Sequence, residues 1–407
     1  MDQPPQVAPT KASRQAAFRF VFACALMNAV SFGIMIPVLP NLIKHLVGGD
    51  TATASTWNVV FAVTWGVMQL FCGPILGMLS DRIGRRPVLL ISFGGLAVDF
   101  LFMAFAPNLA WLFVGRVING MTAASFSTAN AYVADVTAPK DRAKAFGWMG
   151  SAFSFGFLIG PVLGGFLAGE MMHGYLGDFA LRVPFLVAAG LTAINWCYGL
   201  FVLPESLPPE RRVAKFNWAR ANPLGSLAFL RAHGELLGLA TVGFLFQLAH
   251  TVLPSIFVLY AGFRYHWGSD MVGLTMMLTG ILGVVVQSFF VGPVVARIGE
   301  RGALLLGALG GAAGFTLYGV APNGWAYIGS APVFAVMSFL QPGLQGIASV
   351  IGPMIFGLTF AWAVRDDAAL HMPGLPIFIA AGLLVCAFLL AVRVGHAPAT
   401  AAAAAAE

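Results

Sequence analysis

Apolar residues fall in blocks along this chain, and a few polar residues, Gly or Pro separate each block from the next. A helix rising 1.5 Å per residue needs roughly 20 apolar residues to cross a ~30 Å hydrocarbon core. On that measure, the blocks near 17–39, 54–78, 88–106, 109–134, 144–169, 181–203, 237–260, 271–295, 302–320, 324–341, 344–363 and 374–394 predict twelve membrane-spanning helices. Gly and Pro recur inside the blocks, which helices in lipid tolerate better than helices in water. The expected fold is an all-α integral membrane protein.

Composition agrees. The 407 residues are 59% hydrophobic and 9% charged, whereas a soluble domain carries roughly a quarter charged residues. The four cysteines (Cys24, Cys72, Cys197, Cys386) lie inside apolar runs and read as small buried hydrophobes. No metal site or cofactor is expected. The net charge of +6 does not point to nucleic acid, because the basic residues are spread over short loops. Of the 22 Lys and Arg, seventeen fall in the N-terminal tail, the even-to-odd loops and the C-terminal end. Four (Lys44, Arg182, Arg264, Arg365) fall in the opposite loops, and Arg116 lies within a span. Positive charge is retained in the cytoplasm, so both termini are expected inside a cell membrane. The first run, flanked by Lys11, Arg14 and Arg19, has no small-residue cleavage site and is expected to stay as a span.

The longest polar stretch divides the chain into an N-terminal six-helix bundle (1–203), a cytoplasmic linker (204–236), a C-terminal six-helix bundle (237–394) and a tail (395–407) expected to be disordered. Phe216 and Trp218 among basic residues make the linker either a short helix on anionic lipid or a solvated connection. The bundles carry an internal repeat. Residues 82–108 align with 297–323 at a constant offset of 215, matching RIG, Arg86 with Arg301, and the closing APN. Gly160-Pro161 recurs instead at Gly352-Pro353, an offset of 192. The second half is thus about 23 residues shorter, and the loss falls between 323 and 352. Nothing between Gly302 and Val364 is charged, and only QPG (341–343) looks able to reverse the chain. The tenth and eleventh helices are expected to be short. Duplicated halves place a transport path at their interface near the midplane.

Asp99 is the one acid deep within a span, and an ionisable group there marks a functional site by default. It precedes Pro107 by eight residues and Arg116 follows Pro107 by nine, so both are expected at similar depth on neighbouring helices. A structural ion pair and a role in ligand or proton binding both remain open. Gln247 and His250 share a helix face at i, i+3.

Three motifs appear in order: GMLSDRIGRR from Gly77 to Arg86; Leu112, Arg116, Asn119 and Gly120 in span four; and Gly147, Gly156, Gly160, Pro161, Gly164 and Gly165 in span five. With them the chain resembles the major facilitator superfamily, and within it the drug:proton antiporter branch that includes tetracycline-resistance efflux proteins. The resemblance implies two pseudo-symmetric bundles that rock about a central cavity. It implies a cytoplasmic gate of Gly77, Asp81, Arg82, Gly84, Arg85, Arg86 and Asp135, with Asp81 at the start of helix eleven and the neighbouring arginine near Asp135. An anion at a helix N-terminus is worth ~0.3–1 kcal/mol, which suits a latch that must reopen. The span-five glycines leave a smooth ridge for close helix packing, and the resemblance reads that seam as the antiporter motif that limits leak. Asp99, Arg116 and Gln287 match the tetracycline-antiporter pattern. Asn28 stands where those proteins have a first-helix acid, and Gly311 and Gly283 stand where they have an acid and a histidine.

The reading is a secondary active transporter exporting an amphipathic or aromatic small molecule, coupled to protons. Asn28, Asp99, Arg116, Asn119, Gln247, His250 and Gln287 are its candidate pathway. The expected setting is the bacterial inner membrane, in lipid and as a monomer. Uptake symport, metabolite exchange, and a non-transporting product of the shortening are the alternatives. No enzyme motif is present.

Overall fold

A computed structural model describes residues 11–123, 125–138, 141–213, 234–339, 345–365, 368 and 371–394. The basic part of the linker (214–233), QPG and the tail lie outside the described residues. Every regular element among those described is helical. Among the described residues ten helices are long and apolar enough to cross a membrane, and Ile351–Ala363 is a shorter apolar helix. The length test therefore does not confirm twelve spans. The shortfall falls on the tenth and eleventh blocks, where the sequence is short.

The chain clusters into two compact units. One comprises Met1–Val38 with Val67–Asn222, the other Leu39–Gly66 with Pro223–Glu407. The first holds α1 (Lys11–Met35), the latter part of α3 (Thr51–Ile83), α4 (Arg85–Phe105), α5 (Leu109–Thr122), α6 (Ser125–Val136), α7 (Arg142–Leu167), α8 (Glu170–Leu176) and α9 (Val183–Val202). Its core joins Phe20, Val21 and Cys24 of α1 to Leu89 and Phe93 of α4, Tyr132 and Val133 of α6, and Met149 of α7. Lipid tails are as apolar as these side chains, so close packing holds such helices together, and desolvation contributes little. The span-five glycines supply that packing. A Cβ on Gly160 would lie 2.6 Å from Gly33 Cα, and Cβ atoms on Gly156 and Gly164 would collide with Ala29 and with the Ile34 carbonyl of α1. Gly165 is also buried. Gly147 has open space around it and stands apart from the seam.

The second unit holds α2 (Leu39–Leu46), the start of α3, α10 (Gly234–His250), α11 (Val252–Tyr265), α12 (Ser269–Val285), α13 (Val291–Val320), α14 (Gly324–Ala335), α15 (Gln345–Ala363) and α16 (Leu375–Val394). Residues 39–66 are fastened into it: Asn41 Nδ2 donates to Ser269 Oγ (2.9 Å) and Asn58 Nδ2 to the Ser255 carbonyl (3.0 Å).

The repeat is visible in local geometry. Gly84 and Gly299, 215 residues apart, both break a helix at positive φ (111° and 74°). Asn108 caps α5 by accepting from Trp111 N–H (3.2 Å), and Asn323 caps α14 by accepting from Ala326 N–H (2.9 Å). Such a cap is worth ~1 kcal/mol. Arg86 Nη2 donates to the Leu200 carbonyl (2.5 Å) and Arg301 Nη2 to the Val392 carbonyl (3.0 Å). The donors keep the 215 offset and the acceptors the 192 offset, so the same contact survives on both sides of the missing segment.

Candidate functional site

Two clusters of polar side chains carry the candidate chemistry of the first unit. At one end α3 stops at Ile83, Gly84 turns the chain, and α4 begins with Arg85 and Arg86. Gly84 offers no side-chain cap, and no acid lies in the first turn of α4. The orphan N–H groups of a helix start need an acceptor, and Glu205 provides it from beyond α9. Its Oε1 accepts from the N–H of Arg85 (2.8 Å), Ser206 (3.0 Å) and Leu207 (3.0 Å), and its Oε2 from Arg86 N–H (3.2 Å). A Cβ on Gly84 would collide with this carboxylate. Tyr132 OH donates to the Pro204 carbonyl (2.9 Å) and Val213 N–H to the Asp81 carbonyl (3.0 Å), so residues 204–213 lie fastened against the first unit.

Arg85 organises the rest. Its Nη1 meets Asp81 Oδ1 (2.5 Å) and Ser80 Oγ (2.6 Å), and its Nε donates to Asp135 Oδ2 (3.1 Å), which also accepts from Ser206 Oγ (3.1 Å). This corrects one sequence expectation: Arg85 reaches Asp135, and Arg82 is exposed. The cause is the break between the helices. α3 stops at Ile83 and Gly84 turns the chain at φ 111°, which brings the first residue of α4 onto Asp81 and leaves Arg82 at the exposed end of α3. The expected seat for Asp81 begins with residues 341–344, outside those described. Gly77 has open space where a side chain would be.

Deeper in the unit, Asp99 of α4 is fully buried (0% exposed) and Arg116 of α5 nearly so (4%). Arg116 Nη2 donates to Asp99 Oδ2, and Asn119 Nδ2 donates to the same oxygen (2.7 Å). Arg116 Nη2 also lies 3.6 Å from Met103 Sδ. Asp99 Oδ1 and Arg116 Nε are buried with no hydrogen-bond partner among the described residues. The turn of α5 that bears Arg116 approaches closely because position 115 is Gly, where a Cβ would lie 2.7 Å from Asp99 Oδ1. Asn28 borders a water-sized void of about 20 Å³ with Cys24, Phe93 and Phe153.

Gln247, His250 and Gln287 belong to the second unit. Gln247 is buried and the His250 ring lies along Phe246 (centroids 6.3 Å). Gln287 is exposed on a wider π-type turn, Val286–Phe290, between α12 and α13. Such turns interrupt helices at functional positions more often than elsewhere. The structure thus brings Asp99, Arg116 and Asn119 together, and joins Asp81, Arg85 and Asp135. Sequence reasoning missed Glu205. The available signal was a helix start with Gly before it and two arginines in place of an N-terminal acid.

Apolar helices of membrane length packed around a buried ion pair define a polytopic membrane protein. The Major Facilitator Superfamily model matches residues 21–354, and the chain belongs to that family. It is 36% identical over 329 residues to the class C tetracycline resistance protein of Escherichia coli, covering 81% of this chain and 80% of that one. It is 34% identical over 323 residues to the class G protein of Vibrio anguillarum, covering 79% of each. Among solved structures it resembles the nucleoside transporter NupG (TM-score 0.69, 15% identity, covering 94% of this chain and 100% of that one). It also resembles the human organic anion transporter MFSD10 (TM-score 0.60, 22% identity, covering 96% and 100%).

Proposed function

We propose that this transporter exports an amphipathic or aromatic small molecule of the tetracycline type in exchange for protons, with Asp99 carrying the proton. The observation behind this reading is the half-satisfied carboxylate: Oδ2 holds Arg116 and Asn119 while buried Oδ1 has no partner among the described residues. An ionised carboxylate only accepts hydrogen bonds, and a protonated one also donates. Protonation would therefore release Arg116 and leave a guanidinium available to a ligand's anionic group. Asn28, Gln247, His250 and Gln287 would line the path as hydrogen-bonding groups. Asp81, Arg85 and Asp135 would hold the cytoplasmic mouth in one arrangement, with both termini on that side. The two bundles would rock as units of alternating access, each chain working alone.

The test is tetracycline uptake into inside-out membrane vesicles energised with a proton gradient. Uptake that collapses with an uncoupler and is absent in Asp99→Asn supports the proposal. Flux indifferent to the uncoupler would replace it with facilitated exchange.

A further inference from the structure

Within the second unit, Gly48 and Gly49 turn the chain at φ 73° and 92°, and beside them opens a cleft of about 640 Å³. That volume lies in the range of small-molecule sites, ~300–1,000 Å³. One wall is the turn and first helical turns of α3, with Asp50, Thr53, Thr56 and Trp57; the other is Phe263 of α11 with Val364 and Arg365. The walls are tied to each other. Ser55 Oγ donates to the Gly357 carbonyl (2.8 Å), and Gly357 has no room for a Cβ against Val59. Phe263 is backed edge-on by Phe360 (centroids 6.5 Å). The cleft is preformed.

Its charges are separated. Asp50 caps α3, its two carboxylate oxygens accepting from Ala52 N–H (3.2 Å) and Thr53 N–H (2.9 Å). With Thr53 bonding it from both side chain and backbone and Ala52 from the backbone, the carboxylate still has lone-pair capacity left, and the residue is exposed. Arg365 follows α15, also exposed, and is in none of the three ion pairs among the described residues. Hydrogen bonds from Thr53 hold the Asp50 carboxyl below its ordinary 3.8, and Arg365 adds a smaller pull in the same direction. The arginine is near enough to be felt and too far to pair. Helix capping explains Asp50 alone, and the dipole of α15 explains Arg365 alone. Neither explains a cleft with both charges on its walls and two aromatic faces beside them.

We propose that this cleft binds a zwitterionic aromatic small molecule, with its anionic group on Arg365, its ammonium at Asp50 and its rings against Trp57 and Phe263. The charge count of the loops puts this end of the unit outside the cell, so the cleft holds the molecule where it leaves or re-enters. That assignment of side rests on the reading under Proposed function, and the binding itself does not.

The test uses the full chain in nanodiscs of phosphatidylglycerol, a lipid that is not zwitterionic. Tetracycline is the probe, because its fused rings carry an ammonium and an ionised enol. Binding is measured by equilibrium dialysis. Asp50→Asn keeps a capping side chain at the start of α3 while removing the charge and one of the two accepting oxygens; Arg365→Gln removes the other charge. Each is expected to weaken binding about tenfold. Absence of saturable binding to the wild type, or affinities within twofold of it in both cleft variants, would overturn the proposal. The two readings fail separately. Uncoupler-sensitive flux with cleft variants that bind normally defeats the cleft alone. Cleft-dependent binding without flux defeats the transport reading alone.

Discussion

Replacing Glu205 with Gln tests whether the start of α4 is held from outside its own sequence. In the wild type a single carboxylate accepts four backbone N–H groups, two of them the first of α4. Gln keeps the shape but removes the charge, and its amide NH₂ must face an N–H where Oε2 stood. Hydrogen bonds to an ionised acceptor are roughly twice as strong as neutral ones, with a net worth of ~1.5–3 kcal/mol each against ~1 for neutral pairs. Loss of the anion from the helix N-terminus adds ~0.3–1 kcal/mol. With one of the two contacts to α4 weakened and the other reversed, local opening of this turn becomes easier by about 2–3 kcal/mol. At 1.4 kcal/mol per tenfold, that is about a 30- to 150-fold loss of protection. Amide hydrogen exchange read by mass spectrometry on peptides covering 80–90 measures it, since local opening free energies appear there directly. Exchange should accelerate in that peptide and not at the α1–α7 seam. Protection within threefold of the wild type would refute the assignment, because the turn would then be held by something other than Glu205.

Other outcomes follow from the same geometry. Arg116→Ala strands a buried carboxylate and should cost ~3–5 kcal/mol, seen as a sharply lower thermal midpoint in detergent; Asp99→Leu with Arg116→Leu should recover much of that loss while remaining inactive in vesicles. Gly160→Ala puts a methyl 2.6 Å from Gly33 Cα and should destabilise by ~1–3 kcal/mol, whereas Gly147→Ala, in open space, should leave the thermal midpoint unchanged. Asp50→Ala should lower the midpoint at neutral pH. The Asp50 carboxyl is depressed in the fold, so its contribution is present above its ordinary 3.8 and fades as pH falls through the lowered value. The gap between the two proteins should therefore close in acid, and a gap that widens would contradict the assigned hydrogen bonds.

The parts of the fold legible in the sequence are those that lipid dictates. Apolar blocks had to be helices because no water is present to satisfy a loop. Asp99 and Arg116 could be matched in depth by counting outward from Pro107, and they are hydrogen-bonded in the structure. The repeat located Gly84 with Gly299 and Asn108 with Asn323 before any coordinate did. Glu205 was illegible because an acid in a proline-rich polar stretch looks solvated, and its partners are backbone groups that no side-chain pattern reveals. The attachment of residues 39–66 to the second unit was hidden for a similar reason. It rests on pairs such as Asn41 with Ser269, which are 228 positions apart in sequence. The choice of Arg85 over Arg82 depended on where α3 stops, and helix ends are the feature sequence places worst.

The arginine-to-carbonyl tether appears in both halves, at Arg86 with Leu200 and Arg301 with Val392, but the clasp around it does not. Where the first half has Asp81, Arg85 and Glu205, the corresponding positions of the second hold Ala296, Glu300 and Ala397. A duplicated ancestor therefore kept a common brace in each copy and reserved the ionic fastening for one. Changes in salt or in surface charge at this end of the helices should thus be felt by the leading copy, while its twin responds mainly to how well its helices fit.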